Sequence, residues 1–539
     1  MGKNKPFLIF LLLFSSVQTF AQINRYIVHF SDKENTTFNI SNPEEFLSER
    51  AIQRRETQGI AIAENDLPIN TNYIAAVENL NVKIFHHSKW FNAILIEAEE
   101  SVIPNIEGLS FVDSVSFVAP DHMLNGRKSN TNKFQGTREG KGILAAPTDV
   151  QNNMLGAINM HAAGFSGEGM LIGVFDVGFE GADNRDYFQH LFDGNKIIGT
   201  FDFVRNATNV FVSHNHGRRV LFCIASYIEN SITGTAPNAN FILCRTEDID
   251  TEYRIEEYNW LFAAEYADSA GVDIINTSLG YNEFTDPAMN YTKAQMDGKT
   301  AIISKAAQIA IDKGILLVVS AGNSGNDAWQ IITAPADVAD VLTVGAIQVD
   351  SVKSSISSLG NNLVPFTKPD VVALGTNAVT DYSTANNTYF TSSGTSFASP
   401  LVAGLAAGIW QAFPDKTNKE IVTLMRNSGH LASAPDNETG YGIPNFNRAM
   451  TLVLGVEDNL TNEEFIIYPN PTPGKVSIQS KSTNPIRTIS IANILGQEII
   501  RKIFNNNTNK LDIDLEKLTK GLYILSINSG QKKIKFFKN

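Results

Sequence analysis

The chain has 539 residues, enough for three or four units at about 150 residues each. Hydrophobic residues make up 43% and charged residues 18%, which excludes a wholly disordered or collagen-like chain. The 56 acidic and 43 basic side chains give a net charge of −13, and no basic stripe offsets it, so nucleic acid is not expected as a partner; two cysteines, Cys223 and Cys244, exclude a disulfide framework and a CxxC-type zinc site.

Lys3 and Lys5 precede an apolar run, FLIFLLL (7–13), and Thr19 and Ala21 stand at the small-residue positions of a cleavage site before Gln22. Residues 1–21 therefore read as a secretory signal peptide, the apolar run being too short to span a bilayer. No later stretch approaches the roughly 18 apolar residues of a spanning helix, so no transmembrane segment is expected. Residues 22–123 mix strands at 26–30, 82–85 and 92–96 with a charged helix at 43–55, a small α+β domain. Residues 124–147 are polar, basic and glycine-rich, a linker suited to a maturation cut.

The region 148–454 carries apolar runs without polar alternation: LIGVF (171–175), FILC (241–244), VDIIN (272–276), ILLVV (315–319) and VLTV (341–344). Such runs are strands buried on both faces, and helical patterns between them predict an α/β domain on a doubly covered parallel sheet. A linker at 455–464 leads to 465–539. There a YPNP turn (468–471) and short alternating strands at 475–478, 488–491, 521–527 and 533–537 predict a C-terminal β-sandwich. Asn505, Asn506 and Asn507 read as a loop.

Four stretches of the middle region carry chemistry. Asp176 ends the LIGVF run, where open sheets build their sites, though a strand-end turn would look the same. His216 opens a helical segment, HGRRVLFCIAS; a helix N-terminus keeps imidazole neutral, as a general base requires, while His214 shows that a surface histidine is the plain alternative. Ser396, in GTSFASP (394–400), begins a helix of small residues whose converging N–H groups favour an oxyanion; a simple cap by Thr395 or Ser396 is the other reading. Asn323, in SAGNSG (320–325), can supply a turn or donate its amide to that oxyanion. The order arbitrates. Asp, His and Ser fall 40 and 180 residues apart, neither the His-Asp-Ser order nor the Ser-Asp-His order built around a G-x-S-x-G elbow.

With FDVGFEGAD, HGRRVLFCIA, VVSAGNSG and GTSFASP in that order, residues 151–450 resemble the subtilases, the subtilisin-like serine endopeptidases. Gly234-Thr235-Ala236-Pro237, Lys368-Pro369-Asp370 and Gly440-Tyr441-Gly442 add to the resemblance. It implies a subtilisin-like fold and hydrolysis of peptide bonds in proteins or peptides. Ser396 would be the nucleophile, His216 the base, Asp176 its partner and Asn323 the oxyanion donor. The substrate would lie as an added strand between Ser278-Leu279-Gly280 and Ala321-Gly322. The resemblance implies no cofactor for the chemistry; calcium is common in the family, but no ligand cluster stands out, and Asp297 and Asp327 read equally well as loop carboxylates.

The flanks resemble companions of that family. YIV (26–28), LPIN (67–70) and SKWFN (88–92) are similar to a subtilase inhibitor propeptide. YPNP, NILGQ (493–497), GLY (521–523) and the terminal Lys535 and Lys538 are similar to the sorting domain of the type IX secretion system, which implies that machinery as a partner and export through the periplasm. Two residues depart from the family pattern: Arg218 where a threonine is usual and Val177 where a small or hydroxyl residue is usual. They motivate the rival reading, a weakly active or inactive surface binding protein on the same scaffold. Arg218 and Arg219 are expected to be solvated cations that keep His216 neutral, with pairing to a nearby acid as the alternative. Cys223 and Cys244 could pair in an oxidising compartment, but both sit in apolar runs, which favours buried thiols.

Overall fold

In β1 (Ile23–Phe30) alternate residues point to opposite faces, and both faces are apolar. Tyr26, Val28 and Phe30 pack under the helices of their own unit, whereas Ile27 enters a second cluster shared with the domain that follows. The computed structural model describes residues 23–120, 146–454, 465–480, 485–493, 496–519, 521–528 and 532–538. The expected signal peptide, most of the linker at 124–147 and the linker at 455–464 lie outside them. With β2 (Lys83–Ser88), β3 (Ala93–Glu99) and β4 (Val112–Pro120), β1 forms an antiparallel sheet in the order β2-β3-β1-β4. The expected helix at 43–55 is instead one 3₁₀ turn (Pro43–Glu45) and an α-helix (Glu49–Thr57), because Ser48 accepts from the Ala51 N–H and caps a new start.

The charged face of Glu49–Thr57 is buried against the next domain. Arg54 and Arg55 both reach Asp268, at 2.5 and 2.7 Å, and Arg55 also meets Asp66, itself paired with Lys313 at 2.8 Å. Glu265 accepts the backbone N–H groups of Lys89 and Trp90 and the hydroxyl of Ser88. The N-terminal unit is thus docked by an apolar sheet face and a buried ionic network.

The middle domain is built on seven parallel strands. After β5 (Leu171–Asp176) and β6 (Ile197–Asp202) comes a short hairpin, β7 (Tyr227–Ile228) and β8 (Ile232–Thr233), and then β9 (Asn240–Arg245) and β10 (Ile274–Thr277). β11 (Leu316–Ser320), β12 (Leu342–Ile347) and β13 (Val371–Leu374) complete the sheet, in the order β13-β12-β11-β10-β5-β9-β6. Double cover is literal. Ile172, Val174, Phe241, Leu243, Leu316 and Val318 share one core with the helix His216–Ala225 and the serine helix Thr395–Ala412, while Leu171, Phe175, Ile242, Cys244, Leu317 and Val319 share another with the helices Ile255–Ala270 and Ile302–Asp312. The small residues of the serine helix allow close packing: a Cβ at Gly404 would fall 1.9 Å from Thr235 Oγ1. A hairpin of β14 (Ala378–Ser383) and β15 (Thr388–Ser392) leads into that helix.

The C-terminal unit has two antiparallel sheets, as expected of a sandwich. β16 (Phe465–Tyr468), β17 (Lys475–Ser480) and β20 (Lys510–Asp514) form one; β18 (Ile486–Asn493), β19 (Glu498–Thr508), β21 (Gly521–Ile527) and β22 (Lys532–Lys538) form the other. Residues 505–507 belong to β19 rather than to a loop, and they fall at the register shift between the pairs Ile486–Thr508 and Thr488–Ile503. Among the described residues, no helix is long and apolar enough to cross a membrane.

Candidate active site

β5 delivers Asp176 to the carboxyl end of the sheet where the strand order reverses, the crevice at which open parallel sheets bind ligands. His216 is the first residue of the helix His216–Ala225. That helix can approach β5 only because Gly217 follows: a Cβ there would lie 2.5 Å from the Gly178 carbonyl oxygen and 2.9 Å from the Asp176 Cβ. His216 Nδ1 donates to Asp176 Oδ1 at 2.7 Å, and the carboxylate is fully buried. The geometry fixes which ring nitrogen carries that proton. His214 is half-buried, not a plain surface residue, and its Nδ1 accepts the His216 N–H at 3.1 Å.

Ser396 is the second residue of the helix Thr395–Ala412. Phe397 packs on the His216 ring with centroids 5.5 Å apart, which sets the start of the serine helix beside the imidazole. The Ser396 hydroxyl donates to the Ser278 carbonyl at 3.3 Å. Beneath it runs a buried polar chain: Ser278 Oγ donates to the Ser396 carbonyl at 2.8 Å, Asn276 donates to Ser278 at 3.2 Å, and Ser399 donates to Asn276 at 2.8 Å. Strand β10 and the serine helix are therefore tied by side chains that sequence spacing does not reveal.

Asn323 sits at the mouth of the crevice. Its Oδ1 accepts from the N–H and the hydroxyl of Thr395 at 2.9 and 3.0 Å, and that occupancy leaves the Nδ2 end to donate. The four chemistry-bearing residues converge. Leu279 and Gly280 make no backbone hydrogen bond among the described residues, as an edge open to a peptide requires. The opposite side differs from the expected second ladder: the Ala321 N–H bonds to Val344 O, the Gly322 N–H to Thr395 Oγ1, and the Gly322 carbonyl accepts from Ser358. Ala321 and Gly322 form a wall.

The two departures from pattern have distinct environments. Val177 is fully buried; its N–H donates to Asp176 Oδ1 at 2.9 Å, and Asp176 Oδ2 accepts no hydrogen bond among the described residues. The expectation of a solvated Arg218 is wrong. Arg218 is 6% exposed, donates to the Glu180 carbonyl at 3.0 Å and pairs with Asp381 at 2.8 Å, because the hairpin β14–β15 folds over the histidine helix. Arg219 donates to Ser392 Oγ at 3.3 Å. Cys223 and Cys244 are buried free thiols on opposite faces of the sheet, and burial pushes both well above the usual thiol range.

Asp297 and Asp327 accept from N–H groups two and three residues ahead and are explained as turn caps. Glu247, Glu252 and Glu256, which the sequence reading did not single out, place one carboxylate oxygen each within 4.8 Å of one another. This oxygen-only set suits a hard divalent cation. Its members are spread along a loop and a helix start without a recognisable ligand spacing.

Residues 25–136 match a family model described as the peptidase S8 propeptide domain of Bacteroidota, residues 167–442 match the subtilase family, and residues 466–538 match a secretion system C-terminal sorting domain. The serine protease AprX of Bacillus subtilis (strain 168) is 30% identical over 333 residues, covering 57% of this chain and 71% of that protein. A thermophilic serine proteinase of Bacillus sp. (strain AK1) is 29% identical over 364 residues, 67% of this chain and 78% of its own length. A crystal structure of a cold adapted subtilisin-like serine proteinase aligns with a TM-score of 0.41 at 25% identity, covering 52% of this chain and 90% of that one.

Proposed function

The chain belongs to the subtilase family and is a serine endopeptidase with a subtilisin-like sheet and a secretion system sorting domain; on that premise we propose that it is exported by the type IX route and that Asp176, His216 and Ser396 are its triad. The observation that carries the proposal is the 2.7 Å bond from His216 Nδ1 to buried Asp176, beside a helix that begins at Ser396. Ser396 Oγ attacks the scissile carbonyl as His216 removes its proton and later returns it to the leaving amine. Asp176 orients the ring and stabilises its charged form. Asn323 Nδ2 and the Ser396 N–H bind the oxyanion, and the peptide pairs with Ser278, Leu279 and Gly280. Glu247, Glu252 and Glu256 would hold a structural cation such as calcium; hydrolysis needs none.

Residues 22–123 act as an inhibitory propeptide, a reading supported by their docking through Glu265 and Asp268. Residues 1–21 direct export to the periplasm, the cut falls in 124–147, and 465–539 engage the secretion machinery. Ser396→Ala tests the scheme. It removes peptide hydrolysis, a loss of about 10⁶ in kcat for a missing nucleophile, and leaves the propeptide covalently attached. Normal maturation of the purified variant alone would refute self-cleavage. Peptide hydrolysis undiminished in that variant would refute the triad.

A further inference from the structure

Three stretches that carry the tail's resemblance to a sorting domain lie far apart in sequence and meet on one strand. Asn470, of the YPNP turn, donates to the Lys535 carbonyl at 3.0 Å and accepts the Phe537 N–H at 2.9 Å. The Thr472 N–H follows, bonding to the Phe537 carbonyl at 2.7 Å. Leu522, of the GLY stretch, stands opposite Phe537 in the β21–β22 ladder, and Ile524 with Lys535 is the next pair on that face. Turn, strand and terminal lysine form one edge.

That edge is covered. Alternation sends Tyr523 and Phe536 into the core of the sandwich, and Leu522, Lys535 and Phe537 to the opposite face. There Leu522 is 4% exposed and joins, with Phe537, the apolar cluster of the protease domain that holds Phe446, Ala449 and Met450 of the helix Phe446–Leu454. Lys535 Nζ donates to the Asn447 carbonyl at 3.3 Å and to the Thr451 hydroxyl. Charge favours the same union, since residues 465–539 hold 12 basic and 4 acidic side chains in a chain of net charge −13. Resting on the reading that residues 465–539 engage the secretion machinery, we propose that the helix Phe446–Leu454 is a docking surface for the tail of its own chain and covers the edge that the machinery reads. Release from the helix then precedes engagement. A signal presented only by the undocked fraction is bound more weakly in proportion to that fraction, so docking sets the pace of export.

The test changes the protease side alone, so that every residue of the tail stays as it is. Thr451→Lys sets a like charge against Lys535 and should loosen docking, whereas Thr451→Glu gives Lys535 a partner and should tighten it. In the purified full-length chain carrying Ser396→Ala, amide exchange in 446–454, β21 and β22 should be about fivefold faster for Thr451→Lys than for Thr451→Glu. Exchange in β17, β18 and the protease sheet should not change, which checks folding. In a host with the type IX machinery, the otherwise wild-type chains should leave the periplasm in the same order, Thr451→Lys first. Thr451→Glu against wild type, with slower exchange and slower export expected, decides alone if the lysine variant fails to fold. Equal exchange in the variants would overturn the docking. Exchange that differs while export rates coincide, or run in the reverse order, would overturn the covering of the signal. Deletion of 459–539 tells the other failure apart: export unchanged without the tail would refute its sorting role, and this inference with it.

Discussion

Arg218, two residues into the histidine helix, donates to Asp381 Oδ2 at 2.8 Å, and the Tyr187 hydroxyl donates to the other oxygen of the same carboxylate at 2.7 Å. The pair clamps the hairpin β14–β15, which runs into Ser396, against the helix that carries His216. Removing the guanidinium alone strands a carboxylate that is 12% exposed. Arg218→Thr should therefore cost about 3–5 kcal/mol, and Arg218→Thr with Asp381→Val should recover most of it. Denaturant unfolding in the Ser396→Ala background measures both; a single-variant loss below about 1 kcal/mol, as for a solvated charge, would contradict the clamp.

Asn323 is oriented by Thr395, which occupies its carbonyl oxygen and turns the amide nitrogen outward. Asn323→Ala should lower kcat by about 10²–10³ with little change in KM, since the lost hydrogen bond forms in the transition state. A rise in KM at unchanged kcat would assign Asn323 to substrate binding instead.

The docked propeptide carries two opposed pH responses. His86 Nε2 donates to the Phe203 carbonyl at 2.9 Å, and burial pushes its imidazole down to about 4 from 6.5, so docking is full above 6.5 and weakens as pH falls toward 4. Burial pushes Glu265 up to about 7 from 4.5, so its contribution has the opposite sign: docking takes up a proton and tightens as pH falls from about 7 toward 4.5. Dissociation rates of the cleaved propeptide should then diverge between single variants. For His86→Gln, release slows as pH falls from 7 to 5; for Glu265→Gln, release speeds up. Parallel profiles for the two variants would contradict these assignments.

Removing residues 459–539 should leave the protease folded and active, since β5 to β15 and every residue of the proposed triad precede the cut. In a host with the type IX machinery, the truncated protein should accumulate in the periplasm. Unchanged appearance at the surface or in the medium would refute the sorting role of the tail.

The proposed catalytic residues were legible in the sequence because chemistry restricts such groups to few residue types at strand and helix ends. Asp176, His216, Asn323 and Ser396 announce themselves by motif and order. β13, with only four residues, was not singled out although fully buried, whereas β5, β9, β10, β11 and β12 were legible for the same kind of reason, each run being mostly apolar. β6 was not, because this edge strand is mostly half-buried and its residues alternate weakly. Partners far apart in the chain were invisible: Arg218 and Asp381 are 163 residues apart, and Arg55 and Asp268 are 213 apart. The charge of Arg218 reads as solvated until the hairpin that covers it is known.

The central claim is that Asp176 and His216 activate Ser396. The direct measurement is labelling of the mature protein with a fluorophosphonate, followed by peptide mapping, because the probe reacts only with an activated serine. One adduct per chain on Ser396, lost in His216→Ala and strongly slowed in Asp176→Asn, is the predicted result. Labelling that is absent, falls on another serine or persists in His216→Ala would contradict it.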